Sequence, residues 1–120
     1  MLAYLPFRCI FAKHFTALDV ILDDKELVKL YTTGKSKKLR LPEQIIEKFL
    51  STIQKIEASV TINDLLADKG LRFEKLRGSE NHYSMRLSGK YRLEMEVEWK
   101  DDKQTVGKFH LLSISNHYGD

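Results

Sequence analysis

Two segments in the second half of the chain alternate strictly between apolar and polar residues. Every second residue is apolar in both, at Tyr83, Met85 and Leu87 and again at Tyr91, Leu93, Met95, Val97 and Trp99. Successive side chains of a strand point to opposite faces of a sheet. The alternation therefore predicts two strands that bury one common face.

The polar residues of these two segments must share the opposite face of the sheet. They are His82, Ser84, Arg86, Arg92, Glu94, Glu96 and Glu98. A further strand is predicted at residues 108–116. If Leu112 and Ile114 point toward the helices, alternation adds three residues to the polar face, which are Ser113, Ser115 and His117. Alternation often fails at a strand end, so Tyr118 could also turn toward this face.

The clearest helical pattern lies between Pro42 and Ala58. Apolar residues recur there at three- and four-residue spacing, at Ile45, Ile46, Phe49, Leu50, Ile53 and Ile56. This spacing is typical of a helix that packs one side against a core. Shorter helices are predicted at residues 26–31, after Asp23 and Asp24, and at residues 61–67, with Thr61 or Asn63 as cap. Further strands are predicted at residues 17–22 and 71–76.

The order of these elements predicts an α+β fold. One strand and the helices come first, and an antiparallel meander follows, in which Ser88 and Gly89 are expected to form a two-residue hairpin turn with an unusual backbone angle at the glycine. Such a sheet commonly packs helices on one face only. We therefore expect a mainly antiparallel sheet of four to five strands, with the N-terminal helices packed on one face.

Length and composition limit the class of protein. A chain of 120 residues with 42% hydrophobic and 31% charged residues is expected to form one soluble domain. No apolar run approaches the length of a membrane span, and residues 1–16 lack the pattern of an export signal. Cys9 is the only cysteine, so no intrachain disulfide can form, which fits the reducing cytoplasm.

The polar face carries the candidate chemistry. Arg86 and Arg92 could hold a phosphate, and His117 could transfer protons near neutral pH. These are the parts needed for RNA cleavage without a metal. Two plainer interpretations remain open: arginines on a strand are often paired with glutamates such as Glu94, and a single C-terminal histidine is usually inert.

Other kinds of site have little support in the sequence. The four histidines and the cysteine lack the spacing of metal ligands, and no glycine-rich phosphate loop is present, so neither a metal nor a cofactor is expected. The net charge of +3 is mild. A basic cluster at residues 35–40, which includes Lys37 and Lys38, could contact nucleic acid or be an ordinary solvated segment.

Several short motifs, in this order and spacing, resemble the RelE-like toxins of type II toxin–antitoxin modules, and most closely the HigB (plasmid maintenance killer) branch. They are Leu76-Arg77-Gly78, Tyr83-Ser84-Met85-Arg86, Tyr91-Arg92-Leu93, Trp99 and the His117-Tyr118 ending. The segment from Leu18 to Ile56 is similar to the family's first strand and helical hairpin. The resemblance covers residues 17–120, which are expected to form one toxin domain. Residues 1–16 are an N-terminal extension with no counterpart.

The resemblance implies a cytoplasmic, ribosome-dependent mRNA endonuclease that is neutralised by an antitoxin. In this branch the antitoxin is typically a helix-turn-helix DNA-binding protein. Arg86 and Arg92 match the phosphate-binding arginines, and His117 with Tyr118 would be catalytic. Asn116-His117-Tyr118 stands where the family usually has Asp-Tyr-His, so which of His117 and Tyr118 is the base or the acid stays open. Lys75 and Arg77 lie where the family contacts RNA, and Lys37 and Lys38 are further candidate RNA contacts.

Two other functions remain open. A non-enzymatic toxin of the same fold could act on a protein target such as gyrase, and an inactive relative could bind RNA without cleaving it. A protein-directed toxin needs neither Arg86 and Arg92 nor His117. A plain RNA-binding sheet is expected to expose aromatic residues, whereas Tyr83, Tyr91 and Trp99 are predicted to lie on the core face.

Overall fold

The computed structural model describes residues 18–116, and residues 1–17 and 117–120 lie outside the described part. Three α-helices, a 3-10 helix and five strands form within it. The helices are α1 (Lys25–Thr33), α2 (Glu43–Ala58) and α3 (Ile62–Ala67), and the 3-10 helix is Lys69–Leu71. The strands are β1 (Asp19–Leu22), β2 (Glu74–Lys75), β3 (His82–Arg86), β4 (Arg92–Trp99) and β5 (Gly107–Ser115). The expected N-terminal extension falls outside the described residues.

The strands of residues 18–116 form one sheet in the order β1-β5-β4-β3-β2. The pairs β2–β3, β3–β4 and β4–β5 are antiparallel, whereas β1 pairs with β5 in parallel. A parallel pair needs a long crossover connection, and here all the helices and three strands lie between β1 and β5. The prediction of a mainly antiparallel α+β fold is confirmed, with a sheet that is mixed rather than wholly antiparallel.

The helices begin and end at residues suited to those positions. Before α1, the Asp24 carboxylate accepts hydrogen bonds from the backbone N–H of Glu26 (3.0 Å) and Leu27 (3.2 Å). Gly34 closes α1 with a φ of 77°, which a glycine adopts without strain. Thr61 and Asp64 form a reciprocal capping box at the start of α3. Local sequence therefore sets these helix limits, close to the predicted ones.

The core lies between the helices and one face of the sheet. Phe49 and Ile56 of α2 are fully buried, as are Met85, Leu93 and Val97 of the central strands. Ile46 and Leu50 are partly buried against the same cluster. The two alternating segments and the helical stripe thus bury the residues that their patterns predicted, and the helices pack on one face of the sheet.

The predicted strand at residues 71–76 is largely wrong. Residues 69–71 form the 3-10 helix instead, because the Asp68 carboxylate accepts a hydrogen bond from the Gly70 N–H (3.1 Å) and starts a helical turn. Arg72 then adopts a left-handed conformation (φ 48°). Only Glu74–Lys75 pairs with β3, so β2 is a two-residue edge strand.

The predicted two-residue turn at Ser88-Gly89 is also wrong. The connection between β3 and β4 runs over residues 87–91, and the Tyr91 carbonyl accepts hydrogen bonds from the N–H groups of both Leu87 and Ser88. The Ser88 hydroxyl accepts from the N–H groups of Lys90 and Tyr91. Gly89 has no positive φ. The serine side chain therefore organises this turn, and the glycine backbone does not.

A β-bulge in β5 changes which of its residues face the core. Met95 is paired with Leu111 and Glu94 with Ser113, so Leu112 has no partner on β4. A bulge reverses the alternation beyond the extra residue. Phe109 and Leu111 therefore face the core before it, and Ile114 packs against the core after it. The expected position of Ser113 and Ser115 on the polar face is confirmed, but Leu112 is the extra residue and not part of the core.

Candidate functional site

Arg86, Arg92 and Ser115 form a row across three neighbouring strands. Arg86 is the direct partner of Arg92, and Arg92 is the direct partner of Ser115. We call these three residues the arginine row. Side chains of directly opposed residues lie on the same face and close together, so the two predicted phosphate-binding arginines are neighbours on the polar face.

Arg92 is held in place by three acceptors. Its Nε donates to the Ser84 hydroxyl (2.9 Å), and its Nη2 lies 3.0 Å from the Arg72 carbonyl and 3.4 Å from Glu74 Oε1. Its side chain is only 12% exposed. Strand alternation, which places Arg92 on the polar face, predicts an exposed side chain. This prediction is wrong, because the loop before β2 covers the guanidinium. Arg92 therefore has a fixed position before any ligand binds.

Arg86 differs from Arg92 both in exposure and in hydrogen bonding. It is exposed, and its side chain makes no hydrogen bond or ion pair with any residue in the described range 18–116. Its guanidinium lies beside the open turn at Gly89. The row thus combines one fixed arginine with one that is free to move toward a ligand. Arg86 can form paired hydrogen bonds to a phosphate, whereas Arg92, whose Nε and Nη2 donate to the protein, adds a fixed positive charge.

Glu74, Arg72 and Ser84 belong to the site although the sequence analysis did not assign them to it. Glu74 is paired with Ser84 in the sheet, and its 55%-exposed side chain forms an ion pair with Arg92. Alternation could have placed Glu74 on the polar face beside Ser84. No sequence signal shows that the Arg72 carbonyl would reach Arg92, because this contact depends on the left-handed backbone at Arg72.

The rest of the polar face carries several carboxylates, with Lys108 opposite Glu98, and differs from the arginine row. Glu96 and Glu98 follow along β4 and are exposed, and Glu94 accepts a hydrogen bond from the Ser115 hydroxyl (2.8 Å). Further along, His110 lies between two carboxylates, 2.9 Å from Asp23 and 3.1 Å from Glu98. An RNA phosphate on this face would therefore be attracted to the arginine row and repelled from the other end.

Lys75 and Arg77 do not lie beside the arginine row. Lys75 pairs with Tyr83, and the Leu76 N–H donates to the His82 carbonyl, so both basic residues lie near the start of β3. Arg86 is at the other end of β3. At about 3.3 Å per residue, the four steps from His82 to Arg86 span about 13 Å. Both residues are exposed, and they could contact RNA only at a distance from the row.

The remaining candidates lie elsewhere or outside the described part. Lys37 and Lys38 are exposed in the connection between α1 and α2, whereas the arginine row is on the sheet face away from the helices. His117 and Tyr118 are not among the described residues, so their places in the site remain predictions. Within residues 18–116 no group of three or more His, Cys, Asp or Glu side chains is arranged to hold a metal ion.

One protein-family model matches most of the chain. The family model described as the RelE-like toxin of the type II toxin–antitoxin system HigB matches residues 21–110, from β1 into β5 and across both arginines. The chain belongs to this family. As a HigB-like toxin of a type II system it has an antitoxin as its partner. The resemblance seen in the short motifs is thereby confirmed.

Two further observations concern relatives of this HigB-like toxin and its helices. No curated protein matched the chain significantly. In the part of the chain that the structure describes, no helix has both the length and the apolar character needed to cross a membrane.

Proposed function

We propose that this HigB-like toxin is a metal-independent endoribonuclease that cleaves mRNA on the ribosome in the cytoplasm. The observation that carries the proposal is the direct opposition of the exposed Arg86 and the fixed, largely covered Arg92 on the polar face of the sheet. Like charges directly opposite each other destabilise a sheet. A phosphate between the two guanidinium groups would remove this repulsion, so the pair is well suited to bind a phosphodiester.

The chemistry proposed for this site is attack by the neighbouring 2′-oxygen. The 2′-hydroxyl loses its proton to a base, its oxygen bonds to phosphorus, and the bond from phosphorus to the 5′-oxygen breaks. The leaving oxygen takes a proton from an acid, and the products are a 2′,3′-cyclic phosphate and a 5′-hydroxyl. Arg86 and Arg92 would stabilise the charge that develops on the phosphate, and His117 with Tyr118 would transfer the protons.

Glu74 is a third candidate for proton transfer. Its carboxylate is 3.4 Å from the Arg92 guanidinium, and its side chain is more than half exposed, so a bound 2′-hydroxyl could reach it. The change Glu74→Gln keeps an oxygen that can accept from Arg92 but removes the ability to take a proton. Loss of cleavage in this variant, with unchanged binding of a non-cleavable mRNA, would identify Glu74 as the base.

The burial of the aromatic residues argues against a plain RNA-binding module. Tyr83 is 8% exposed and stacks on Phe73, with ring centroids 4.9 Å apart. Trp99 packs edge-on against Tyr83 and Phe109. The rings of Tyr83, Trp99 and Phe109 lie on the core face and are not available to stack on bases. Within residues 18–116 the polar face instead offers charged and hydroxyl side chains, which suit phosphate binding.

The antitoxin is proposed to be a helix-turn-helix protein with an acidic or helical segment that covers the basic residues of the toxin. Such a segment would lie near Lys37, Lys38, Lys75, Arg77 and Arg86. Expression of the toxin alone should then arrest growth, and co-expression of the protein encoded beside it should relieve the arrest. Harmless expression of the wild-type chain would contradict this part of the proposal.

The decisive experiment measures cleavage of an mRNA on translating ribosomes and analyses the ends of the products. We expect a 2′,3′-cyclic phosphate, and we expect a transcript with one 2′-deoxy nucleotide at the cut site to resist. Cleavage of the deoxy transcript would exclude attack by the 2′-oxygen. If growth arrest occurs without mRNA cleavage, the toxin acts on a protein target such as gyrase instead.

A further inference from the structure

A pocket opens at the edge of the sheet beside the arginine row. It has a volume of about 300 Å³ and lies between α3, the 3-10 helix and β2. Its apolar wall consists of Leu65, Leu66 and Phe73, and charged side chains that include Arg72 and Glu74 form its rim. We call it the β2-edge pocket. Leu66, one of its lining residues, is 52% exposed, and among residues 18–116 only Val60 is a similarly exposed large apolar residue.

The β2-edge pocket shares two residues with the phosphate site. Glu74 lines the pocket and also forms the ion pair with Arg92, and Arg72 lines the pocket while its carbonyl accepts a hydrogen bond from Arg92. A phosphate bound beside Arg92 and a group bound in the pocket would therefore both lie next to Arg72 and Glu74. The two could belong to one nucleotide or to adjacent nucleotides of a single strand.

The lining suits a flat ring with a polar edge. Phe73 stacks one ring face on Tyr83, with an interplanar angle of 7°, and also packs against Phe109, with ring centroids 5.9 Å apart, so it can offer only part of its ring to the pocket. Leu66 extends this apolar surface, while Leu65 is fully buried. Arg72 and Glu74, whose charged groups lie 4.0 Å apart, supply hydrogen-bond donors and acceptors at the pocket. Bases that stack on apolar or aromatic side chains and bond through their edges are recognised by such combinations.

The volume agrees with this kind of ligand. A pocket of about 300 Å³ is large enough to admit a single planar ring. The charges on the rim have both signs, which is less suitable for a phosphate or a metal ion than for a neutral ring with donors and acceptors.

We propose that the β2-edge pocket holds an unpaired nucleobase of the mRNA, next to the phosphate at the arginine row, and so sets a base preference at one nucleotide beside the cut. This inference rests on the proposed function, because it takes the RNA bound at Arg86 and Arg92 as its ligand. It assigns a role to Leu66 and Phe73, which the phosphate chemistry does not use.

The test compares Leu66→Trp with Val60→Trp. Leu66 lies in α3 and lines the pocket, whereas Val60 lies two residues before α3 and does not, yet the two are almost equally exposed, at 52% and 51%. The indole at position 66 would fill the pocket without removing any residue of the arginine row. Both variants should have the melting temperature of the wild type.

Cleavage sites are first mapped on ribosomes that translate an mRNA library. We expect the wild type and Val60→Trp to share a base preference at one nucleotide beside the cut. In Leu66→Trp the ratio of cleavage at the preferred base to cleavage at the other bases should fall about tenfold. The same base preference in both variants would overturn the inference and leave the proposed function standing. Unchanged cleavage by Leu66→Trp together with weakened inhibition by the antitoxin would show that the pocket holds a protein side chain, which also overturns it.

Binding is then measured on ribosomes carrying an mRNA with a 2′-O-methyl group at the cut site, so that no cleavage is needed. Removal of one base beside the cut should weaken binding of the wild type by about tenfold and should not affect Leu66→Trp. If the wild type binds in this base-dependent way but never cleaves, the proposed function fails and the pocket stands. If removal of each flanking base has no effect on the wild type, the pocket inference is wrong.

Discussion

Arg86 and Arg92 are direct partners across β3 and β4, but the protein holds only Arg92 in place. Ser84, the Arg72 carbonyl and Glu74 accept hydrogen bonds from Arg92, whereas Arg86 projects without such partners from the described part of the chain. A fixed group lowers the entropy cost of binding, and a movable group can adjust to the changing shape of a phosphate during reaction. This division predicts different consequences for the two arginines when each is replaced.

Arg86→Ala should abolish most cleavage without affecting the fold, because the side chain is exposed and supports no other residue. Loss of one well-placed charge donor should lower the rate by about 10²–10³. Arg92→Ala should lower cleavage at least as much and should also destabilise the protein by about 1.5–3 kcal/mol, since it removes a charged hydrogen bond to the buried Ser84.

Thermal melts and single-turnover cleavage on ribosomes separate these effects. Lys90→Ala, an exposed change in the nearby turn, serves as the control and should retain both stability and activity. An equal loss of stability in Arg86→Ala and Arg92→Ala would contradict the difference seen in their contacts.

His117 and Tyr118 are distinguished by a second pair of variants. If His117 is the base or the acid, His117→Ala should lower the cleavage rate by about 10²–10⁴. If Tyr118 has that role, Tyr118→Phe should be the more damaging change, because it removes only the hydroxyl. Full activity of the double variant Arg92→Ala, His117→Ala would show that the site has been placed on the wrong residues.

Ile53→Ala tests the core contact of α2. The side chain is 2% exposed, so its truncation leaves a cavity and should destabilise the protein by about 2–5 kcal/mol. Gln54→Ala, the next residue on the exposed side of the same helix, should have little effect. Denaturant unfolding measures the free energy of unfolding of both variants. If Ile53→Ala were as stable as Gln54→Ala, a core position for Ile53 would be contradicted.

Thr52→Val should stabilise the protein. Thr52 is 1% exposed, and within the described residues its hydroxyl oxygen has no hydrogen-bond partner. Valine keeps the shape and removes the unpaired polar group, for an expected gain of about 1 kcal/mol. Thr32→Val is the control, because that hydroxyl is exposed and donates to the Val28 carbonyl (2.8 Å). A loss of stability in Thr52→Val would indicate a buried partner for this hydroxyl.

Asp101 should make stability depend on pH in acid. The Thr105 hydroxyl, followed by the N–H groups of Val106 and Thr105, donates to this carboxylate and lowers its pKa from the ordinary value of 3.8. The folded pKa lies below the unfolded one, so the stabilisation is full well above pH 3.8 and is lost as the pH falls toward the folded pKa.

Asp101→Asn should therefore be less stable than the wild type at pH 7, and the difference should shrink below about pH 3.8. Asp102→Asn removes the same charge from an exposed neighbour and should show a much smaller effect. Urea unfolding at a series of pH values makes the comparison. A difference between wild type and Asp101→Asn that does not change with pH would contradict the role of this carboxylate.

The direction in which each side chain points along a strand or helix repeats with a fixed local period. The sequence by itself therefore determined which residues of β3, β4 and α2 face the core. The alternation in β3 and β4 identified the buried Met85, Leu93 and Val97, and the helical stripe identified Phe49 and Ile56. The same alternation placed Arg86 and Arg92 on one polar face. Helix caps such as Asp24 could be predicted from the sequence because their hydrogen bonds reach only two or three residues along the chain.

Contacts between distant segments were decided only by the tertiary structure. The parallel pairing of β1 with β5 and the bulge at Leu112 depend on how strands far apart in sequence fit together. Arg92 is covered because the Arg72 carbonyl, 20 residues earlier, reaches it from a left-handed turn. The β2-edge pocket likewise arises where α3 meets a strand that the sequence pattern had made too long. Such arrangements follow from packing between elements, which no repeat along the chain encodes.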